Sequence, residues 1–196
     1  MRRLPEAQVN DNTTLRAWAS DLELAFSSED EDLTVPSWDN IGTLVTLAGQ
    51  SLPRSDALRR SFVPHFLRQE AIEMVRSRDA IADTLARFRA IRQQAVDAGL
   101  VEIVELIDRV DGYLSRPEPL DHDRAVQAGL DLSCCHDEAP IIAAPQGDGW
   151  VVSLNKGTLF IDATGLLSYE PPTFVPDFFG RSQQQRTWRR PTPGES

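Results

Sequence analysis

The stretch that decides the fold runs from residue 64 to residue 114 and reads PHFLRQEAIEMVRSRDAIADTLARFRAIRQQAVDAGLVEIVELIDRVDGYL. Its first part repeats apolar residues at the spacing of one buried helix face, at Leu67, Ala71, Met74, Ile81, Leu85, Phe88 and Ala95. Gly99 suits the left-handed position that ends a helix, and a second stripe follows at Leu100, Ile103, Val104, Ile107, Val110 and Leu114. The stretch therefore predicts a long antiparallel helical hairpin.

Two positions bear on the bounds of the first helix of this hairpin. Pro64 fits the first turn of a helix better than its interior, so we place a break there and begin the long helix at about residue 64. Arg78 falls in the apolar register, so either its stem reaches along the helix to solvent or the helix breaks near Ser77 to Asp79. Because helix breaks usually coincide with Gly or Pro, we favour a continuous helix up to Gly99.

Two shorter helices are predicted before the hairpin. The first covers about residues 14–27, where apolar residues recur at helical spacing at Leu15, Trp18, Leu22, Ala25 and Phe26. The second begins after Ser37, which can cap it, and ends at Gly49. Trp38 is expected to pack at its start.

The pattern changes from helical to β after residue 132. Asp121 can cap a last short helix, and four β-prone runs then follow over residues 141–144, 150–154, 158–161 and 166–169, separated by turns that contain Gly. A sheet this small is not stable alone, so one of its faces should pack on the helices. The residues expected on that face are Val151 or Val152, with Leu159, Ile161 and Leu167.

The predicted fold class is α+β. An N-terminal helical layer with a long antiparallel helical hairpin is followed by a small antiparallel β-meander packed on the helices. We predict one domain over residues 1–180, with its helical part at 12–132 and the meander at 139–170. Residues 181–196 are predicted to be a flexible, Arg-rich tail.

Composition excludes several classes of protein. The chain has 196 residues, 41% of them hydrophobic, which is enough to bury a core without disulfides or a structural metal. It contains no apolar run near the ~20 residues that span a bilayer, and its N-terminus lacks a signal-peptide core. The two cysteines are adjacent and cannot join distant segments. We therefore expect a cytoplasmic protein that does not enter a membrane.

Charge is distributed unevenly along the chain. The net charge is −10, and residues 17–53 hold seven acidic residues and no basic one. An excess of negative charge disfavours nucleic acid and anionic lipid and favours a basic partner. The arginines of the central helix and the tail carry no recognition motif for nucleic acid. We therefore expect a protein partner with a basic surface, contacted by Glu29, Asp30, Glu31 and Asp32.

The reactive residue types cluster between residues 121 and 138. Cys135, His122 and Asp123 could supply a nucleophile, a base and an orienting carboxylate if the fold brought them together. Neighbouring cysteines suit a tetrahedral zinc site poorly, and the surrounding carboxylates would raise the pKa of a thiol. We expect no metal and no cofactor.

Three functional hypotheses remain open. The leading one is a non-enzymatic binding protein of a bacterial cytoplasm that occludes a protein partner, as an inhibitor, immunity protein or antitoxin does. The alternative is a hydrolase or transferase built on Cys135, His122 and Asp123. The third is a homo-oligomer formed through the helical hairpin.

Overall fold

A computed structural model describes residues 2–4, 12–26, 38–78, 81–133, 141–154 and 157–171. Its helices are α1 (Asn12–Ser20), α2 (Trp38–Ala48), α3 (Ser55–Ala57), α4 (Val63–Ser77), α5 (Ile81–Asp97), α6 (Val101–Ser115) and α7 (His122–Asp131). Its strands are β1 (Arg2–Leu4), β2 (Leu24–Phe26), β3 (Ile142–Gln146), β4 (Gly149–Leu154), β5 (Gly157–Ile161) and β6 (Leu167–Glu170). Strands β3 to β6 form an antiparallel meander in chain order, and β1 pairs with β2 in parallel. The α+β prediction is confirmed. The predicted flexible tail lies outside the described residues.

The first helix is shorter than its apolar pattern predicts. It ends at Ser20, because the Asp21 carboxylate accepts a hydrogen bond from the Glu23 N–H at 2.9 Å and forms a turn there. Residues 24–26 then pair with residues 2–4 as strand β2. The prediction of a helix to residue 27 is therefore wrong, and Leu22, which it placed on the apolar face, is 64% exposed.

Pro64 does not break the chain of helices. A π-helical segment, Leu58–Phe62, connects α3 to α4, and the proline falls in the first turn of α4. The wider π turn changes the hydrogen-bond register at the place where the proline has no N–H to donate. The predicted break at Pro64 is thus replaced by a local change of helix type.

The break occurs at Arg78 instead. Helix α4 ends at Ser77, and Arg78 adopts a left-handed conformation with φ of 52° while its N–H donates to the Met74 carbonyl at 3.1 Å. Its Nη2 donates to the Leu167 carbonyl on β6 at 2.8 Å, which offsets part of the ~1–2 kcal/mol cost of that conformation. The predicted continuous helix from residue 64 to Gly99 is wrong.

The hairpin itself consists of α5 and α6, and α4 packs against both. Gly99 has φ of +70°, and the next N–H, of Leu100, donates to the Ala95 carbonyl at 2.9 Å, so the glycine ends α5 as predicted. The largest side chains of this core are fully buried; they include Phe66, Leu67, Phe88, Ile103 and Ile107.

The meander covers the other side of this core. Its buried face carries the predicted Leu159, Ile161 and Leu167 with Val152 as the inward valine, and it packs on α7 and α4. Ala143 and Leu154 are also buried on this face, which was not predicted. Gly165, at φ of +85°, is required because a Cβ there would lie 1.9 Å from the Glu118 carbonyl oxygen. That turn therefore rests on the connection between α6 and α7.

Within the described residues, no helix combines the length and the apolar character needed to cross a membrane.

Candidate functional site

The residues predicted to contact a partner or to carry catalysis are only partly described. Glu29, Asp30, Glu31, Asp32 and Cys135 lie outside the described residues. His122 and Asp123 begin α7, where His122 Nδ1 lies 3.1 Å from Asp123 Oδ1. The Asp123 side chain is 99% exposed, so water competes for its carboxylate and weakens its orienting effect.

The His122 ring has a structural contact of its own. It meets Trp150 edge to face, with the ring centroids 5.5 Å apart, while the Trp150 indole donates to the Leu120 carbonyl at 2.7 Å. These contacts hold the start of α7 against β4. The proposed arrangement of Cys135, His122 and Asp123 stays a prediction.

No group of three His, Cys, Asp or Glu residues in the described part of the chain is placed to hold a metal ion. The expectation of no metal at residues 134–138 stays a prediction, because these residues are not described.

The arginines of α5 are paired with the carboxylates of α6. Arg89 Nη2 lies 2.8 Å from Asp111 Oδ1, and Arg92 Nη2 lies 2.9 Å from Asp108 Oδ2. Although burial acts to raise the pKa of Asp111, hydrogen bonds from Arg89 and Ser115 outweigh it and lower that pKa. We call these two ion pairs the α5–α6 ladder. They neutralise positive charge that could otherwise have met nucleic acid or the acids of residues 17–53.

A buried carboxylate, which the sequence analysis missed, joins α6 to α7. Asp131 is fully buried, and its two oxygens accept from Arg109 Nε at 2.7 Å, Arg109 Nη2 at 3.0 Å, Tyr113 Oη at 3.2 Å and Gln127 Nε2 at 3.0 Å. A signal was present in the sequence, since Asp131 falls on the apolar face of α7 that contains Ala125 and Ala128. With four donors, this carboxylate is satisfied within the fold. We interpret the Asp131 cluster as structural.

The Tyr113 phenol in this cluster predicts a pH dependence. Burial, together with the Asp131 charge, raises its pKa well above the ordinary value of about 10. Above about pH 10 the unfolded chain loses this proton while the folded chain keeps it, so the free energy of unfolding falls as the pH rises. Tyr113→Phe removes this contribution, and we expect the stability difference between wild type and variant to shrink by up to about 1.4 kcal/mol per pH unit there. Urea unfolding between about pH 8 and pH 11 measures it; a constant difference would contradict the assignment.

A groove between α2 and α5 is a concave site among the described residues. It encloses about 350 Å³ and is lined by Trp38, Gly42, Arg87, Ala90, Ile91 and Gln94. Trp38 is held edge to face against Phe66, at 5.0 Å, and its indole donates to Glu70 Oε2 at 3.0 Å. The Arg87 guanidinium lies over the Trp38 ring, 5.5 Å from its centroid. We call this the α2–α5 groove; no pattern in the sequence predicted it.

The chain matches no family model. No curated protein and no solved structure matches it either.

The α2–α5 groove is equipped for binding rather than for nucleophilic chemistry. Its lining offers two groups of hydrogen-bond donors, the Arg87 guanidinium and the Gln94 amide, beside the apolar surfaces of Trp38 and Ile91. None of its six lining residues carries a nucleophile.

Proposed function

We propose that the protein is a non-enzymatic binding protein of the cytoplasm that occludes a protein partner with a basic surface, as an inhibitor, immunity protein or antitoxin does. The observation that supports it best is the α5–α6 ladder. Two arginines of α5 are held by Asp108 and Asp111, so their charge is already paired within the hairpin. A run of acidic residues such as 29–32 is suited to steer a basic surface into contact.

Other arginines, between residues 54 and 76, also form ion pairs or hydrogen bonds within the fold. Arg59 and Arg60 pair with Asp56, and Arg76 pairs with Glu73. Arg54 donates to the backbone carbonyls of Trp18, Leu22 and Leu24. These exposed pairs stabilise the fold little, by ~0–1 kcal/mol each, but they reduce the positive potential that nucleic acid would require.

The other two hypotheses have less support. Oligomerisation through the hairpin requires apolar residues on its outer face, and the large exposed ones described there are Val96 and Val101, beside the turn at Gly99. For the enzyme, the described part of the predicted site is the exposed pair His122 and Asp123. Neither observation favours these functions over binding.

The role of the acidic residues 29–32 is tested by a variant that removes their charge and keeps the fold. Replacing Glu29, Asp30, Glu31 and Asp32 by Ser should weaken binding to the protein recovered with the full chain from its host by at least about tenfold, because steering and complementary charge are lost together. Affinity is measured by calorimetry at physiological salt, and circular dichroism checks the fold.

A matched variant distinguishes the effect of residues 29–32 from the effect of net charge alone. Replacing the exposed and dispersed Glu102, Glu118, Asp148 and Glu170 by Ser changes the net charge equally. We expect this control to weaken binding by less than about threefold, since separated charges contribute little at physiological salt. Equal losses in the two variants would remove the assignment to residues 29–32, and no loss in either would contradict the proposed function.

A further inference from the structure

The three arginines of α5 differ in what they contact. Arg89 and Arg92 are held by carboxylates of the α5–α6 ladder. Arg87 lies instead over the Trp38 ring at the α2–α5 groove, and no ion pair joins it to a carboxylate whose side chain the structure describes. The nearby Glu70 carboxylate accepts from the Trp38 indole. Arg87 is thus a charged donor at the edge of a cavity, and the described side chains there offer it no carboxylate.

The groove presents a second donor and an apolar wall beside this arginine. The Gln94 side chain of α5 lies against α2 at Gly42, where an added Cβ would lie 2.6 Å from the Gln94 Oε1 atom. Ile91 and the half-buried Trp38 ring supply the apolar surface.

We propose that the α2–α5 groove binds a monocarboxylate with an apolar body. The carboxylate pairs with the Arg87 guanidinium and accepts from the Gln94 amide, while the apolar body lies on Trp38 and Ile91. A forked guanidinium matches the two oxygens of a carboxylate, and the volume of about 350 Å³ accommodates a phenyl-sized group. A free acid and the terminal carboxylate of a peptide share this chemistry. The site goes beyond the proposed function and does not depend on it.

The first experiment compares two ligands that differ only in charge. The full chain is titrated with 3-phenylpropionate and with 3-phenylpropanamide, and binding is followed by the NMR signal of the Trp38 indole N–H. We expect the acid to bind about tenfold more tightly than the amide, because only the acid forms an ion pair with Arg87 through two carboxylate oxygens. Equal affinities of the acid and the amide would overturn the proposal.

Matched variants locate the effect. Arg87→Gln should abolish the preference for the acid, whereas Arg89→Gln removes the same charge from the same helix and should preserve it. Ala90→Arg, which fills the groove from an exposed position, should block both ligands, and Ala82→Arg, exposed on the same helix but outside the groove, should not. Equal effects of Arg87→Gln and Arg89→Gln would show that the preference for the acid comes from the overall charge of α5. That result would overturn the proposed site.

A third ligand distinguishes the two sources of the carboxylate. The tripeptide Gly-Gly-Phe with a free carboxylate is compared with its C-terminal amide and with 3-phenylpropionate. Tighter binding of the free tripeptide than of 3-phenylpropionate identifies a peptide chain end as the ligand, and the reverse order identifies a small acid. If neither acid binds, or if binding is unchanged in Ala90→Arg, the proposal is wrong.

Discussion

Phe88→Ala is expected to lower the free energy of unfolding by about 3–5 kcal/mol, a large part of the ~5–15 kcal/mol that stabilises a typical domain. Phe88 is fully buried on α5, and its ring lies 5.7 Å from that of Trp38 on α2. Its removal leaves a cavity where α2, α4 and α5 meet. Urea denaturation measures the loss. An unchanged m value, the slope of the free energy of unfolding against urea concentration, would show that the unfolded state is not altered.

The control for this variant lies on the same helix. Val96 is 46% exposed, so Val96→Ala should change stability by no more than about 0.5 kcal/mol. If both variants lost similar amounts, Phe88 would not occupy the centre of the core and the packing of α2 on α5 would be wrong.

Asp131→Ala is expected to cost about 2–4 kcal/mol. The change leaves Arg109, Tyr113 and Gln127 without their common acceptor, and breaking a buried ion pair from one side leaves an uncompensated charge. We place the loss below the ~3–5 kcal/mol of a fully buried pair, because the Arg109 side chain is 37% exposed and can turn to water.

A double variant shows whether the loss of stability comes from the Arg109 charge left without its partner. Asp131→Leu combined with Arg109→Met replaces both partners by apolar groups of similar size, which for buried pairs is often neutral. We expect the double variant to recover at least about half of the loss measured for Asp131→Leu alone. Additive losses would indicate that Asp131 acts through packing and not through its pair with Arg109.

Local signals in the sequence were sufficient for much of the fold. Gly99 ends α5, Asp121 caps α7 by accepting from the Arg124 N–H at 2.9 Å, and a turn that contains Gly165 separates β5 from β6, as residues of these types require. Each of these features depends on residues within a few positions of one another. The α+β class followed from them together with the apolar periodicity.

The features that sequence reasoning missed depend on distant partners. The Arg78 side chain binds a carbonyl 89 positions further along the chain, and the pairing of β2 with β1 joins residues about 20 apart. Arg109 and Asp131, 22 positions apart, are visible as a pair only once α7 lies on α6. The α2–α5 groove likewise exists only where two helices meet, so periodicity within either helix could not reveal it.

The salt dependence of association is the most direct test of the proposed function. Charge steering acts over a Debye length, about 8 Å at physiological salt, and it changes association rates far more than dissociation rates. Stopped-flow mixing of the chain with its recovered partner, from about 0.05 M to about 0.5 M salt, measures both rate constants. Steering predicts that association slows by at least about tenfold across this range while dissociation changes by less than about twofold. An association rate constant indifferent to salt would contradict binding through the acidic surface.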